Sequence, residues 1–210
     1  MEMDAREFVK NISWLGHAAF LVKYEGMNVY FDPYQIARGE PADVIFVSHD
    51  HYDHCSPEDI ERIRKSDTVI VTNESSAKKL KGEIRVVKAG DEIEVRGLKV
   101  KAVPAYNPNK RFHPKQYGGL GFIVDFGGVK VYHAGDTDLI PEMEGIEADI
   151  ALLPVSGTYV MTAEEAAKAA EIIKPKVAIP MHYGAIVGTA NDAERFKRLA
   201  PVEVVILKKT

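Results

Sequence analysis

One cysteine, Cys55, stands alone in 210 residues. It excludes an internal disulfide and suits a reducing compartment. Glutamine is nearly as scarce, at positions 35 and 116 only, in a chain that is 28% charged and rich in Lys and Glu. That balance leans toward proteins that work at high temperature. No stretch approaches the ~18 apolar residues of a membrane span. Residues 1–10 are mixed and charged rather than an apolar segment behind basic residues. Both absences predict a cytoplasmic protein without a membrane partner. Positive charge is not in surplus either: the net charge is −4, which leaves no bulk pull toward nucleic acid. No linker, low-complexity run or short-period repeat breaks the chain, so residues 1–210 read as a single domain, or two fused half-units.

What is present is an apolar fraction of 46%, ample for a core. Residues 12–15, 20–24 and 28–31 read as strands, with Glu25-Gly26 as a turn. The apolar stretch 43–47 reads as a buried strand. Ser56-Pro57-Glu58-Asp59 predicts a helix start, with Ser56 as cap and Pro57 at the first helical position. Residues 68–72 predict a strand, 75–80 a short helix, and 92–103 a hairpin turning at Arg96-Gly97. The second half repeats the theme. It offers a hairpin of 121–125 and 129–133 around Gly127-Gly128, then a buried strand at 150–154. A capping box at Thr162-Ala163-Glu164-Glu165 opens an alanine-rich helix that ends near Lys174-Pro175. A strand at 177–179, a helix at 192–199 and a closing strand at 202–207 follow. Sheet-rich halves with helices outside predict an α/β fold, a four-layer αββα sandwich. The least regular stretch, 105–119, holds Pro108, Pro114, Gly118 and Gly119; a loop that long is usually functional or disordered.

The stretch 43–47 leads directly into Ser48-His49-Asp50-His51-Tyr52-Asp53-His54. Four metal-binding side chains therefore sit where a core strand leaves its sheet. His49 and His51, two apart, can converge on one ion. Asp53 and His54 are adjacent and point in different directions, so two neighbouring ions suit the set better than one. Imidazole nitrogen with carboxylate oxygen favours zinc, with manganese, iron or nickel as alternatives.

The run matches H-x-H-x-D-H, and the chain resembles the metallo-β-lactamase superfamily from Trp14 to Gly184. Phe31-Asp32-Pro33 after an early strand, Val131-Tyr132-His133-Ala134-Gly135-Asp136-Thr137 after a later one, and Ile179-Pro180-Met181-His182-Tyr183-Gly184 near the C-terminus fit its other motifs. Trp14-Leu15-Gly16-His17-Ala18 resembles the branch of the ascorbate-6-phosphate lactonase and the N-acyl-phosphatidylethanolamine phospholipase D. The resemblance implies the αββα architecture and two divalent ions. His49 and His51 would hold the first; Asp53, His54 and His182 would hold the second; Asp136 would bridge them. Two ions about 3.5–4 Å apart acidify the water between them and polarise a carbonyl or phosphoryl group. Asp53 is then the candidate to orient the water and shuttle its proton. Asp32 is expected behind the ligands, fixing an imidazole tautomer, although a turn aspartate before Pro33 is the plainer alternative.

The resemblance breaks at the third motif, where Tyr106-Asn107 replaces the family's histidine. Either His113 folds back as the missing ligand or Asn107 lies near the first ion; nitrogen chemistry favours His113. His17 is expected near the metals or the substrate. His133 is either a support for the ligands or a core histidine. Cys55 reads best as a small buried hydrophobe. Lys110, Arg111 and Lys115 share the loop with His113 and predict an anionic small-molecule substrate. The function implied is a metal-dependent hydrolase of an ester-like bond, a lactone or phosphodiester. A diiron redox protein and a metal-binding module without catalysis are the alternatives. Oligomeric state is not legible.

Overall fold

A computed structural model describes residues 4–210 of the chain. The elements run α1 (Ala5–Phe8), β1 (Ile12–Gly16), β2 (Ala19–Tyr24), β3 (Met27–Phe31), β4 (Ala42–Val47), α2 (Pro57–Ile63), β5 (Arg64–Thr72), α3 (Glu74–Ala77) and β6 (Glu83–Val86). The second half runs β7 (Glu92–Val95), β8 (Leu98–Pro104), β9 (Leu120–Phe126), β10 (Val129–His133), β11 (Ile150–Pro154), α4 (Ala163–Ile173), β12 (Val177–Met181), α5 (Ala190–Leu199) and β13 (Glu203–Val204).

The strands form two mixed sheets. One is ordered β1-β2-β3-β4-β5-β6, the other β13-β12-β11-β10-β9-β8-β7. Each opens with antiparallel hairpins and continues in parallel crossovers, β3 through β6 and β10 through β13. This is the expected α/β sandwich. The buried run of β4 has a simple cause. Val44 and Phe46 face the core between the sheets, while Ile45 and Val47 join Ile60 and Ile63 of α2 in a second, outer cluster. A strand covered on both faces is apolar at every position instead of alternating.

The predicted helix starts hold. Ser56 caps α2 with Pro57 at its first turn, and Thr162 and Glu165 form the capping box of α4. Two expectations shift, and one strand was not foreseen. The closing strand contracts to Glu203–Val204, because the chain then leaves β12 and pairs Lys209 with Trp14 of β1. The helix at 75–80 becomes Glu74–Ala77, capped by Asn73. The mostly exposed edge strand β6 carries no apolar run to betray it. No helix among the described residues is long and apolar enough to cross a membrane.

Strands β1, β3, β4, β8, β10 and β12 all point the same way within their sheets. Their C-terminal ends open onto one edge of the sandwich, the usual ligand position in sheets with parallel crossovers. The residues just past those ends are His17, Asp32, Ser48-His49, Asn107, Asp136 and His182.

Candidate metal centre

Two groups of donors meet at this edge. His49, His51 and His113 form one; His17, Asp53, His54 and His182 form the other. Within the first, His51 Nδ1 lies 3.1 Å from His49 Nε2 and 2.9 Å from His113 Nε2. Within the second, Asp53 Oδ2 lies 3.6 Å from His54 Nε2 and accepts a hydrogen bond from His17 Nε2 at 2.9 Å. Asp136 stands between them. Its Oδ1 is 3.2 Å from His54 Nε2, while its Oδ2 is 3.2 Å from His182, 3.6 Å from His113 and 3.8 Å from His49.

Local sequence explains how Asp136 arrives there. Gly135 adopts φ +65, and a Cβ on it would come within 2.4 Å of the Leu120 carbonyl oxygen. Only glycine lets the chain turn under β9 and present the aspartate inward. Elsewhere the site accepts strain. His17, Asp32, His113 and His182 all hold left-handed backbone conformations, with φ of 52, 42, 58 and 61. Such residues cost energy that surrounding contacts must offset.

Behind the donors lies a second row of groups that orients them. Asp32 accepts the Ser48 backbone N–H at 2.7 Å, the Ser48 hydroxyl at 2.6 Å and His54 Nδ1–H at 2.7 Å. With the Ser48 proton committed to Asp32, His49 Nδ1 must donate to Ser48 Oγ, 2.9 Å away. His182 Nδ1 donates to Ser156 Oγ at 3.0 Å. In each case the outward nitrogen carries the proton and the inward nitrogen presents a lone pair.

The electrostatics follow from this crowding. Burial pushes the Asp136 carboxyl up, but His182 and His54 outweigh it and hold the group well below the usual carboxylate range. Burial likewise opposes charge on His54, yet Asp136 and Asp32 together hold its pKa well above the ordinary value. His49, fully enclosed, is pushed well below it by burial. Burial lowers His113 to about 4. Burial also lowers His17, outweighing its bond to Asp53.

The donor set fits divalent ions. His54 Nε2, Asp136 Oδ1 and His17 Nδ1 are buried without a hydrogen-bond partner in the protein, a costly state for polar atoms unless something else satisfies them. The imidazoles of His49, His51, His54, His113 and His182 with the carboxylates of Asp53 and Asp136 suit zinc, iron, manganese or nickel.

His113 stands beside His49 and His51. Asn107 lies behind it: its amide Nδ2 is 3.0 Å from His113 Nδ1 and donates to the Phe112 and Tyr159 carbonyls. His133 lies behind the candidate ligands. It stacks on Phe31, donates Nε2–H to the Ala18 carbonyl at 2.9 Å and accepts the Gly135 N–H at 3.3 Å, bracing the turns that carry His17 and Asp136. One expectation is corrected. Lys110 does not face the site, because it pairs with Asp138 and donates to the Val160 carbonyl at 2.7 Å. Lys115 is bound to Glu142 at 2.7 Å. Arg111 is exposed, its guanidinium 5.8 Å from the Phe112 ring centre. The cationic cluster expected over the site is therefore largely neutralised, because each lysine finds a carboxylate from the Thr137–Glu142 region that only folding brings near.

Sequence reasoning missed Ser48 and Ser156 as backing hydroxyls. Ser48 adjoins His49, so its position was a usable signal; Ser156 carried none. It also missed the bond from the Tyr117 hydroxyl to Asp50, which ties the 105–119 loop to the histidine motif.

Comparison with known proteins identifies the family. The family described as "Beta-lactamase superfamily domain" matches residues 11–182. The chain is 36% identical to a UPF0173 metal-dependent hydrolase of Methanopyrus kandleri, over 94% of this chain and 96% of that one. It is 38% identical to a UPF0173 metal-dependent hydrolase of Thermoplasma acidophilum, over 90% of each. A crystal structure from Parabacteroides distasonis, described as a metal-dependent hydrolase, superposes with a TM-score of 0.84 at 37% identity, covering 94% and 93% of the two chains.

Proposed function

This chain belongs to the metallo-β-lactamase superfamily and is a metal-dependent hydrolase, and from that premise we propose that it uses two ions to hydrolyse an ester-like bond of a small molecule. The observation that carries the two-ion reading is the position of Asp136. One carboxylate reaches both donor groups, Oδ1 toward His54 and Oδ2 toward His182 as well as His113 and His49. His49, His51 and His113 would hold one ion, Asp53, His54 and His182 the other, with Asp136 shared. Zinc is the first choice for such nitrogen-rich sets.

Ions held there supply Lewis acidity to water and to a carbonyl or phosphoryl oxygen. The protein's own residues do the rest. Asp53 is partly exposed at the mouth and is positioned to take a proton from attacking water and return it to the leaving oxygen. His17 fixes that carboxylate through its 2.9 Å bond. Asp32, Ser48 and Ser156 hold His54, His49 and His182 in the tautomers that face inward. The resemblance of Trp14 to Ala18 to the ascorbate-6-phosphate lactonase branch supports a lactone. The diiron redox and non-catalytic readings find no support in relatives named as hydrolases.

The test is elemental analysis joined to activity. Metal-replete protein should carry two ions per chain, and Asp136→Ala should empty or decouple both sites. Asp53→Ala, reloaded with metal, should lose turnover far beyond its loss of metal. One ion per chain in the wild type, two retained in Asp136→Ala, or full activity in Asp53→Ala would sink the mechanism.

A further inference from the structure

Exposed apolar side chains are not spread evenly over this protein. The described residues include six large exposed hydrophobics, and three of them are aromatics on segments that build the metal centre: Tyr52, Phe112 and Tyr159. Tyr52 is 65% exposed and lies between His51 and Asp53; Phe112, 41% exposed, precedes His113. Tyr159, 45% exposed, offers its carbonyl to Asn107. Ile186, also exposed, follows on the loop that starts at His182.

The rings form two edge-to-face pairs. Tyr52 meets Tyr34 with centroids 5.9 Å apart, and Tyr34 is 6.2 Å from the His17 ring. Phe112 meets Tyr159 at 5.0 Å and lies 6.2 Å from the His51 ring. One pair thus flanks each donor group. Tyr159 is held in place at some cost: its φ is +65, an outlier for a bulky side chain, and the carbonyls of Tyr159 and Val160 are anchored by Asn107 and Lys110. Rings kept rigid and exposed around a polar centre mark a ligand site, since water gains nothing from them.

Lys110, Lys115 and Lys79 are each paired with a carboxylate, so the rings stand free where the lysines do not. Resting on the hydrolase reading above, we infer that the substrate is an ester or lactone carrying a flat apolar ring, gripped by Tyr34, Tyr52, Phe112 and Tyr159. Its hydrolysis consumes one water. The acyl carbon gains a bond to the water oxygen and loses its bond to the ester oxygen, which takes up a proton.

The test uses zinc-loaded full-length protein, wild type and the surface variants Phe112→Ala and Tyr52→Ala. Two uncharged six-membered lactones serve as probes: dihydrocoumarin, with a fused benzene ring, and δ-valerolactone, without one. Each variant should lower kcat/KM for dihydrocoumarin by roughly tenfold more than for δ-valerolactone. Equal effects on both probes would overturn the inference and leave the hydrolase reading intact. Binding is measured separately with the hydrolysis-resistant lactams 3,4-dihydroquinolin-2-one and piperidin-2-one, by NMR titration. The aromatic lactam should bind more tightly, and Phe112→Ala should erase the difference. If that holds while no lactone is turned over, the hydrolase reading fails and the aromatic grip stands. If the two lactams bind alike, the grip fails.

Discussion

Asp32 takes three hydrogen bonds in a space with no solvent, and it fixes two imidazoles at once: His54 directly and His49 through Ser48. Asp32→Asn keeps the volume but gives up the charge, so the amide can no longer accept both the Ser48 hydroxyl and the His54 N–H as strongly. His54 then loses its enforced tautomer. Metal affinity should fall by about 10–100-fold, as read by titration against a chelator, while the circular dichroism spectrum stays unchanged. An affinity equal to wild type would show that His54 needs no such partner. At this scale much of the site was legible. His49, His51, Asp53 and His54 fall on one short segment, and Asp32, Asp136 and His182 each follow an apolar strand. His113 was legible only as one of two candidates, because its place depends on how a loop of the second sheet closes. Lys110 misled for the same reason: the sequence carries its charge, but only the fold supplies Asp138.

Among the elements, the 105–119 loop is the one that the site depends on and that regular structure does not hold. It is pinned at separate points. Ala105 and Gly119 bond across its neck, Asn107 N–H donates to the His113 carbonyl, and Asn73 reaches the Gly118 carbonyl. A further anchor is Tyr117, whose hydroxyl meets Asp50 and whose ring packs 5.6 Å from that of His51. Tyr117→Phe keeps the ring and removes the anchor. The first donor group, which borrows His113 from this loop, should lose about tenfold in metal affinity, and the second should lose little. Stepwise metal titration separates the two; equal losses at both sites would refute the role. Strands announced themselves where both faces are buried, as in β4, or where β-branched residues cluster, as in β5. The loop's path did not, because it is set by single bonds to residues far away in sequence.

For the whole molecule, each donor group draws on both sheets. The first takes His49 and His51 from beyond β4 and His113 from beyond β8; the second takes His54 from one half and His182 from the other. Bound ions should therefore fasten the halves together and raise stability by linkage. A free metal concentration a thousand times Kd contributes about 4 kcal/mol per site, roughly 10 °C in Tm for a chain of this size. Calorimetry with and without chelator checks it, and an unmoved Tm would mean that the halves cohere without the ions. The sandwich itself was readable from the order of strands and helices, whereas the partnership of the two edges was readable only through the family resemblance, since spacing alone does not bring the two sheets face to face. The left-handed backbone at His17, Asp32, His113 and His182 has one more consequence. At each of these positions glycine would relieve the chain, so any selection for heat resistance alone would be drawn to them and would strip the centre of its ligands and their supports. Stability and chemistry compete here residue by residue, and only selection on both together keeps four strained side chains in place.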